Sequence, residues 1–166
     1  METGGYPKQT VLRDGRSVLV RPFRAEDAEE LHNFFLRLPA DWRRFAWDPI
    51  DNRALVESWA DNIDYDKTWP LLAFDGSRIV ADASLHRREY GPLRLVGRIK
   101  WLIDPEFRGV GLGMTLVNLL MDAAYLAGGG CESRRVWIPK NSHSDRVSPF
   151  NRLVHLDDAG SRRVHG

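Results

Sequence analysis

Apolar positions recur along this chain with two periods, and the alternation between them outlines the elements. The segment "TVLRDGRSVLVRPF" (residues 10–23) reads as two short extended pieces around Asp14-Gly15, a hairpin turn signal. Pro22 holds Arg21 extended and closes the second piece. Leu31, Phe34, Phe35 and Leu38 then fall at i, i+3, i+4 and i+7, one apolar face of a helix. Glu26 and Asp27 suit the positive end of its dipole, and Pro39 stops it. "ADWRRFAWDPID" reads as a loop, and Leu55, Val56, Trp59 and Ile63 mark a second, shorter helix. Period two returns in "PLLAFDGSRIVADASLH", where Asp75-Gly76 predicts another hairpin.

The strand predicted from about Leu93 to Asp104 alternates, with Leu93, Leu95, Ile99, Trp101 and Ile103 on one face. Arg94, Arg98 and Lys100 take the other. A helix stripe follows through Leu112, Leu116, Leu119, Leu120, Ala123 and Ala127, closed by Gly128, and "RRVWI" reads as one more strand. Residues 1–9 read as a loose leader. From Pro139 to Gly166 the chain is polar, scattered with Arg and His, and has neither period. The expected order is β-β-α-α-β-β-β-α-β, without an internal repeat.

Composition narrows the function classes. A chain of 166 residues, 43% hydrophobic and 28% charged, fits one domain with a real core. The formal net charge of +1 gives no global attraction to nucleic acid or to an anionic membrane surface. No apolar run approaches a spanning helix, and "METGGYPKQT" lacks the basic and apolar regions of a signal peptide. The single cysteine, Cys131, excludes an internal disulfide framework and a cysteine-based zinc site, and no obvious histidine partners it as a nucleophile. His143, His155 and His165 lack metal-ligand spacing. The expectation is a cytoplasmic, metal-free protein.

The chemistry concentrates in "WLIDPEFRGVGLGMTLVNLLMDAAYL", where a strand runs through Asp104-Pro105 into Arg108 and three glycines before a helix. A helix start carries unpaired N–H groups and partial positive charge, and glycine lets a phosphate approach the backbone. A tight strand-to-helix connection would use the same glycines. Two phosphate motifs fail here. The nucleotide P-loop needs Gly-Lys-Ser/Thr, but Met114 and Thr115 follow Gly113. The dinucleotide fingerprint of an oxidoreductase lacks its third glycine, with Leu112 and Met114 in its place.

"IDPEFRGVGLG" resembles motif A of the GNAT acyltransferases: a hydrophobic-Asp-Pro strand end, then Arg-x-x-Gly-x-Gly, then an amphipathic helix. The likeness covers roughly residues 10–138. "LRDGRSVLVRPFRAEDAEELHNFFLRL" is similar to the first strand and helix of bacterial GNAT domains, including protein-lysine acetyltransferases, and "LLAFDGSRIVADASL" stands where the central hairpin belongs. The resemblance implies an α/β GNAT fold, a mixed and mostly antiparallel sheet flanked by helices. It implies acetyl-CoA as co-substrate and transfer to a protein lysine or a small primary amine by direct attack, in a monomer or homodimer. Carried over, Arg108 and the backbone of Gly109, Val110, Gly111, Leu112 and Gly113 hold the coenzyme diphosphate, with Met114 at the edge. The backbone of Trp101, Leu102 and Ile103 pairs with the pantetheine arm, and one amide there faces the thioester carbonyl.

The chain departs from the family in three places. The usual glutamate base, five residues before Ile103, is Arg98. His86 and Asp82, even-numbered on the preceding strand, are the substitutes, with His86 slightly ahead; Glu89 and Tyr90 read as turn residues. The usual tyrosine acid should follow a pattern that Asn141 could begin. Ser144, Val147 and Ser148 occupy its key positions, and Pro149 interrupts it. Beyond about Gly130 the chain is therefore out of frame, diverged, or a genuine basic tail. The alternative function is a non-catalytic CoA-binding module or a decayed acetyltransferase. Trp42, Arg43, Arg44 and Trp47 are candidates for an acceptor cleft.

Overall fold

The computed structural model describes residues 5–44, 46, 48–87, 96–126, 134–137, 153–156 and 162–164. Eight strands form one sheet in sequence order: β1 (Lys8–Val11), β2 (Ser17–Pro22), β3 (Thr68–Asp75), β4 (Arg78–His86), β5 (Val96–Ile103), β6 (Arg134–Trp137), β7 (Leu153–Leu156) and β8 (Arg162–Val164). Every neighbouring pair is antiparallel except β5 and β6, which run parallel. Both predicted hairpins form, with Gly15 at φ 88° and Gly76 at φ 60°, the left-handed conformation these turns require.

Helices α1 (Ala28–Arg37), α2 (Ala40–Arg44) and α3 (Arg53–Asp61) connect β2 to β3, and α4 (Leu112–Leu126) connects β5 to β6. Strand parity sorts the core into two layers. Leu71, Ala73, Ala83, Leu85 and Ile99 face α4, whose Leu112, Leu116, Val117, Leu120 and Met121 are buried against them. Each such side chain contributes on the order of 1.5–3 kcal/mol. Leu72, Phe74 and Ile79 face the opposite way, onto Leu31, Phe34 and Phe35 of α1 and Val56 of α3. On β4 the parity switches at a register shift between Ala73 and Phe74, where Val80 is the extra residue of a bulge, so Ile79 faces the opposite way from Ala81 and Ala83. The carbonyl of Val80 accepts from the amide of Asp104 at 2.8 Å, so the bulge pins the end of β5.

One ion pair ties the start of the first helical layer to the sheet. Arg21 on β2 donates twice to Asp27, at 2.6 and 2.7 Å, and lies 4.3 Å from the centre of the Phe74 ring. Asp27 also accepts from the amide of Arg24, so this buried carboxylate caps the turn that leads into α1.

Three sequence expectations change. The leader is shorter, because β1 begins at Lys8 and pairs with Val20. The segment read as a Trp- and Arg-rich loop contains α2. The segment after Pro139, without strand periodicity, contains β7 and β8, which extend the ladder from β6. Strands of four and three residues are too short to leave a readable period in the sequence.

Candidate active site

The site forms where β5 leaves the sheet. β5 pairs with β4 along its length, from Arg98 opposite His86 to Ile103 opposite Ala81. On its other edge it meets β6 only at Val96, Gly97 and Arg98. From Ile99 to Ile103 that edge has no partner among the described residues. In an antiparallel ladder alternate residues turn their N–H and C=O groups away from the neighbour, so this stretch offers bonds to an added extended group. Trp101, Leu102 and Ile103 lie on this stretch of β5. Trp101 and Ile103 turn their side chains toward α4 and Leu102 toward α1.

Beyond Ile103 the chain is held in a fixed shape. The buried Asp104 accepts from the amide of Glu106 at 3.0 Å and from the Arg78 guanidinium at 2.6 Å. Pro105 opens a single 3-10 turn, and the buried Phe107 anchors it. Gly109 and Gly111 then take φ of 74° and 92°, which side chains other than glycine rarely adopt. A Cβ on Gly113 would come within 3.0 Å of Ile103 Cδ1, so glycine lets α4 start close against the end of β5. Leu112 is buried and faces the site through its backbone alone, Val110 is partly buried, and Met114 is exposed at the rim.

Among the described residues, no backbone carbonyl accepts from the amides of residues 109–114. The first such bond comes from Thr115, whose amide and hydroxyl both donate to the Gly111 carbonyl at 3.1 and 3.2 Å. A run of unpaired amides at a helix start, on glycines that leave the backbone bare, fits the diphosphate of a coenzyme.

Arg108, the cation of the motif, contacts the helical layer. Its guanidinium lies over the Trp42 ring of α2, 4.5 Å from the centroid, and so bridges the turn to the α1–α3 layer.

Asp82 and His86 share one face of β4 with Ser84, opposite Leu102, Lys100 and Arg98 of β5. They are not neighbours: they stand four positions apart on the strand, about 13 Å. His86 is half-buried, with Ser84 Oγ 2.9 Å from Nε2 and Thr68 Oγ1 3.4 Å from Nδ1. Burial pushes its pKa down to about 4; Lys100 and Arg98 push the same way and Asp48 opposes them. The ring is therefore neutral at pH 7 and a weak base. Burial pushes the Asp82 carboxyl the other way, up to about 7, against a smaller pull down from Lys100. Lys100 in turn donates to Asp48 at 3.2 Å, from the segment between α2 and α3.

Sequence reasoning missed Ser84 and Asp48. Parity with Asp82 and His86 was enough to find Ser84. Nothing in the spacing marks Asp48, which only tertiary packing brings to Lys100. Glu89, Tyr90, Trp47, Cys131, Asn141, Ser144, Val147, Ser148, Pro149, His143 and His165 lie outside the described residues, as do Leu93, Arg94, Leu95, Ala127 and Gly128. Among the described residues, no group of three or more His, Cys, Asp or Glu could hold a metal, and no helix is long and apolar enough to cross a membrane.

A strand whose edge is open among the described residues, then a glycine turn, then a helix presenting bare amides make up the candidate site. The chain belongs to the acetyltransferase (GNAT) domain family, whose model matches residues 17–164. Its fold is similar to that of the GNAT domain of PAT from S. lividans, at TM-score 0.62 and 18% identity, over 87% of this chain and 95% of that one. It is also similar to a GNAT-family acetyltransferase from Streptococcus pneumoniae, at TM-score 0.61 and 21% identity over 73% of each chain. A third likeness is to the ribosomal-protein-S5-alanine acetyltransferase of Vibrio fischeri, at TM-score 0.57 and 21% identity, over 78% of this chain and 75% of that one. No curated protein matches the chain.

Proposed function

We propose that this acetyltransferase moves an acetyl group from acetyl-CoA to a primary amine, of a protein or a small molecule, in the cytoplasm. The coenzyme supplies the activated acyl group. The unpaired amides of residues 109–114 hold its diphosphate, and the open edge of β5 holds its pantetheine arm. The observation that carries this reading is the combination of those amides with a β5 edge that no described strand pairs from Ile99 to Ile103.

An amine must be neutral to attack, and a lysine-type amine is cationic at pH 7. We assign the proton to Asp82. It lies on the strand beside β5, and its raised pKa places it between carboxylate and acid near neutrality, where a general base is most effective. His86, ranked first from sequence, is the weaker choice, because its ring is poor at taking protons and its nitrogens are engaged by Ser84 and Thr68. Its role is to hold that end of the β4 face in place.

Release of free thiol from acetyl-CoA, measured with DTNB across a panel of primary amines and lysine peptides, tests the reading. Turnover with at least one amine is expected. Stabilisation by CoA without turnover on any amine would convert the enzyme into a coenzyme-binding module.

A further inference from the structure

We propose that Arg13, at the tip of the β1–β2 turn, binds the coenzyme diphosphate, an inference that rests on the functional reading above. This turn is far from the glycine motif in sequence but is clamped onto it in space. The Arg13 amide donates to the Val110 carbonyl at 3.0 Å. Arg16 donates to the Glu106 carbonyl at 2.7 Å, and its guanidinium stacks 3.9 Å from the centre of the Phe107 ring. Those anchors fix where the Arg13 side chain runs. It lies along Gly111, where a Cβ would meet its Nε at 3.4 Å, its Cγ at 3.5 Å and its Cδ at 3.6 Å.

Charge bookkeeping around the turn points the same way. Asp14 is held by Arg16 at 2.6 Å, Asp104 by Arg78 at 2.6 Å, and Glu106 by Arg78 at 3.4 Å. Each nearby carboxylate thus meets a cation other than Arg13, Arg78 serving two of them, and the exposed Arg13 side chain takes no ion pair or hydrogen bond with a described residue. Arg108, the cation expected from the motif, is laid over Trp42. A guanidinium beside a glycine whose neighbouring amides are unpaired completes a cradle for a dianion, with N–H donors beneath and a fork of donors at the side.

The test is calorimetric titration of the full chain with CoA and with dephospho-CoA, which keeps the diphosphate and lacks the 3′-phosphate. Arg13→Ala is expected to weaken both ligands by the same factor, about tenfold or more. The loss should be larger at low salt, and Arg13→Lys should recover part of it. Because the side chain is exposed, the melting temperature of the unliganded variant should match that of the wild type. Unchanged affinity would overturn the proposal. So would a loss confined to CoA, which would assign Arg13 to the 3′-phosphate. If the wild type binds CoA and Gly111→Asp abolishes binding while Arg13→Ala is silent, only this inference falls. If the wild type binds neither ligand, the functional reading falls with it.

Discussion

The role proposed for Asp82 has opposite consequences for catalysis and for stability. In the folded chain Asp82 keeps its proton up to about pH 7, against an ordinary value of 3.8. Between those values the native state binds more protons than the unfolded one, so this residue makes stability fall as pH rises; above pH 7 the penalty is constant. Asp82→Asn removes the penalty. It should be more stable than the wild type at pH 8, by on the order of 4 kcal/mol in urea denaturation, with the gap closing toward pH 4. Its activity should move the other way, dropping roughly 10²–10⁴-fold. The wild-type kcat/KM should rise through about pH 7, and the variant should lose that limb in a pH-rate profile. A variant with full activity and an unchanged profile would remove Asp82 from the reaction.

At the scale of elements, two junctions decide whether the site forms. The first is the glycine turn between β5 and α4. Gly111→Asp forces a side chain onto a backbone at φ 92° and sets a carboxylate against Arg13, where the diphosphate is to sit. CoA affinity by calorimetry should fall by about a hundredfold or more. The second is the β2–α1 junction, where Asp27 is 6% exposed and bonds both Arg21 and the Arg24 amide. Asp27→Ala leaves that guanidinium without its partner and should cost about 3 kcal/mol in urea denaturation. Asp27 marks a limit of sequence reading: the chain pattern placed it correctly at a helix start, yet its larger role is as Arg21's partner.

For the whole molecule, the two faces of the sheet divide the labour. The α4 face carries the glycine turn proposed for the coenzyme, and the α1–α3 face carries Asp82, Ser84, His86 and the Lys100–Asp48 pair, with the β5 edge that no described strand pairs between them. Ligands that bind only the native state raise its melting temperature by mass action. CoA and acetyl-CoA should stabilise the chain, by about 2.7 kcal/mol at a hundred times Kd, while NAD and ATP should leave it unchanged in a thermal-shift series. Stabilisation by NAD alone would point instead to dinucleotide chemistry.

Local pattern alone determined the strands as far as β6, the faces of α1, α3 and α4, both hairpin turns and the glycine turn. These depend on the backbone freedom of Gly15, Gly76, Gly109 and Gly111 and on the two hydrophobic periods, all of which are written in neighbouring residues. It left the base open between His86 and Asp82, because which group burial neutralises depends on what the sheet and helices enclose. Tertiary structure alone laid Arg108 on Trp42, brought Asp48 to Lys100 and set Arg13 against Gly111. Those contacts join segments far apart in the chain, and no period or spacing encodes a meeting that only packing two layers on one sheet creates.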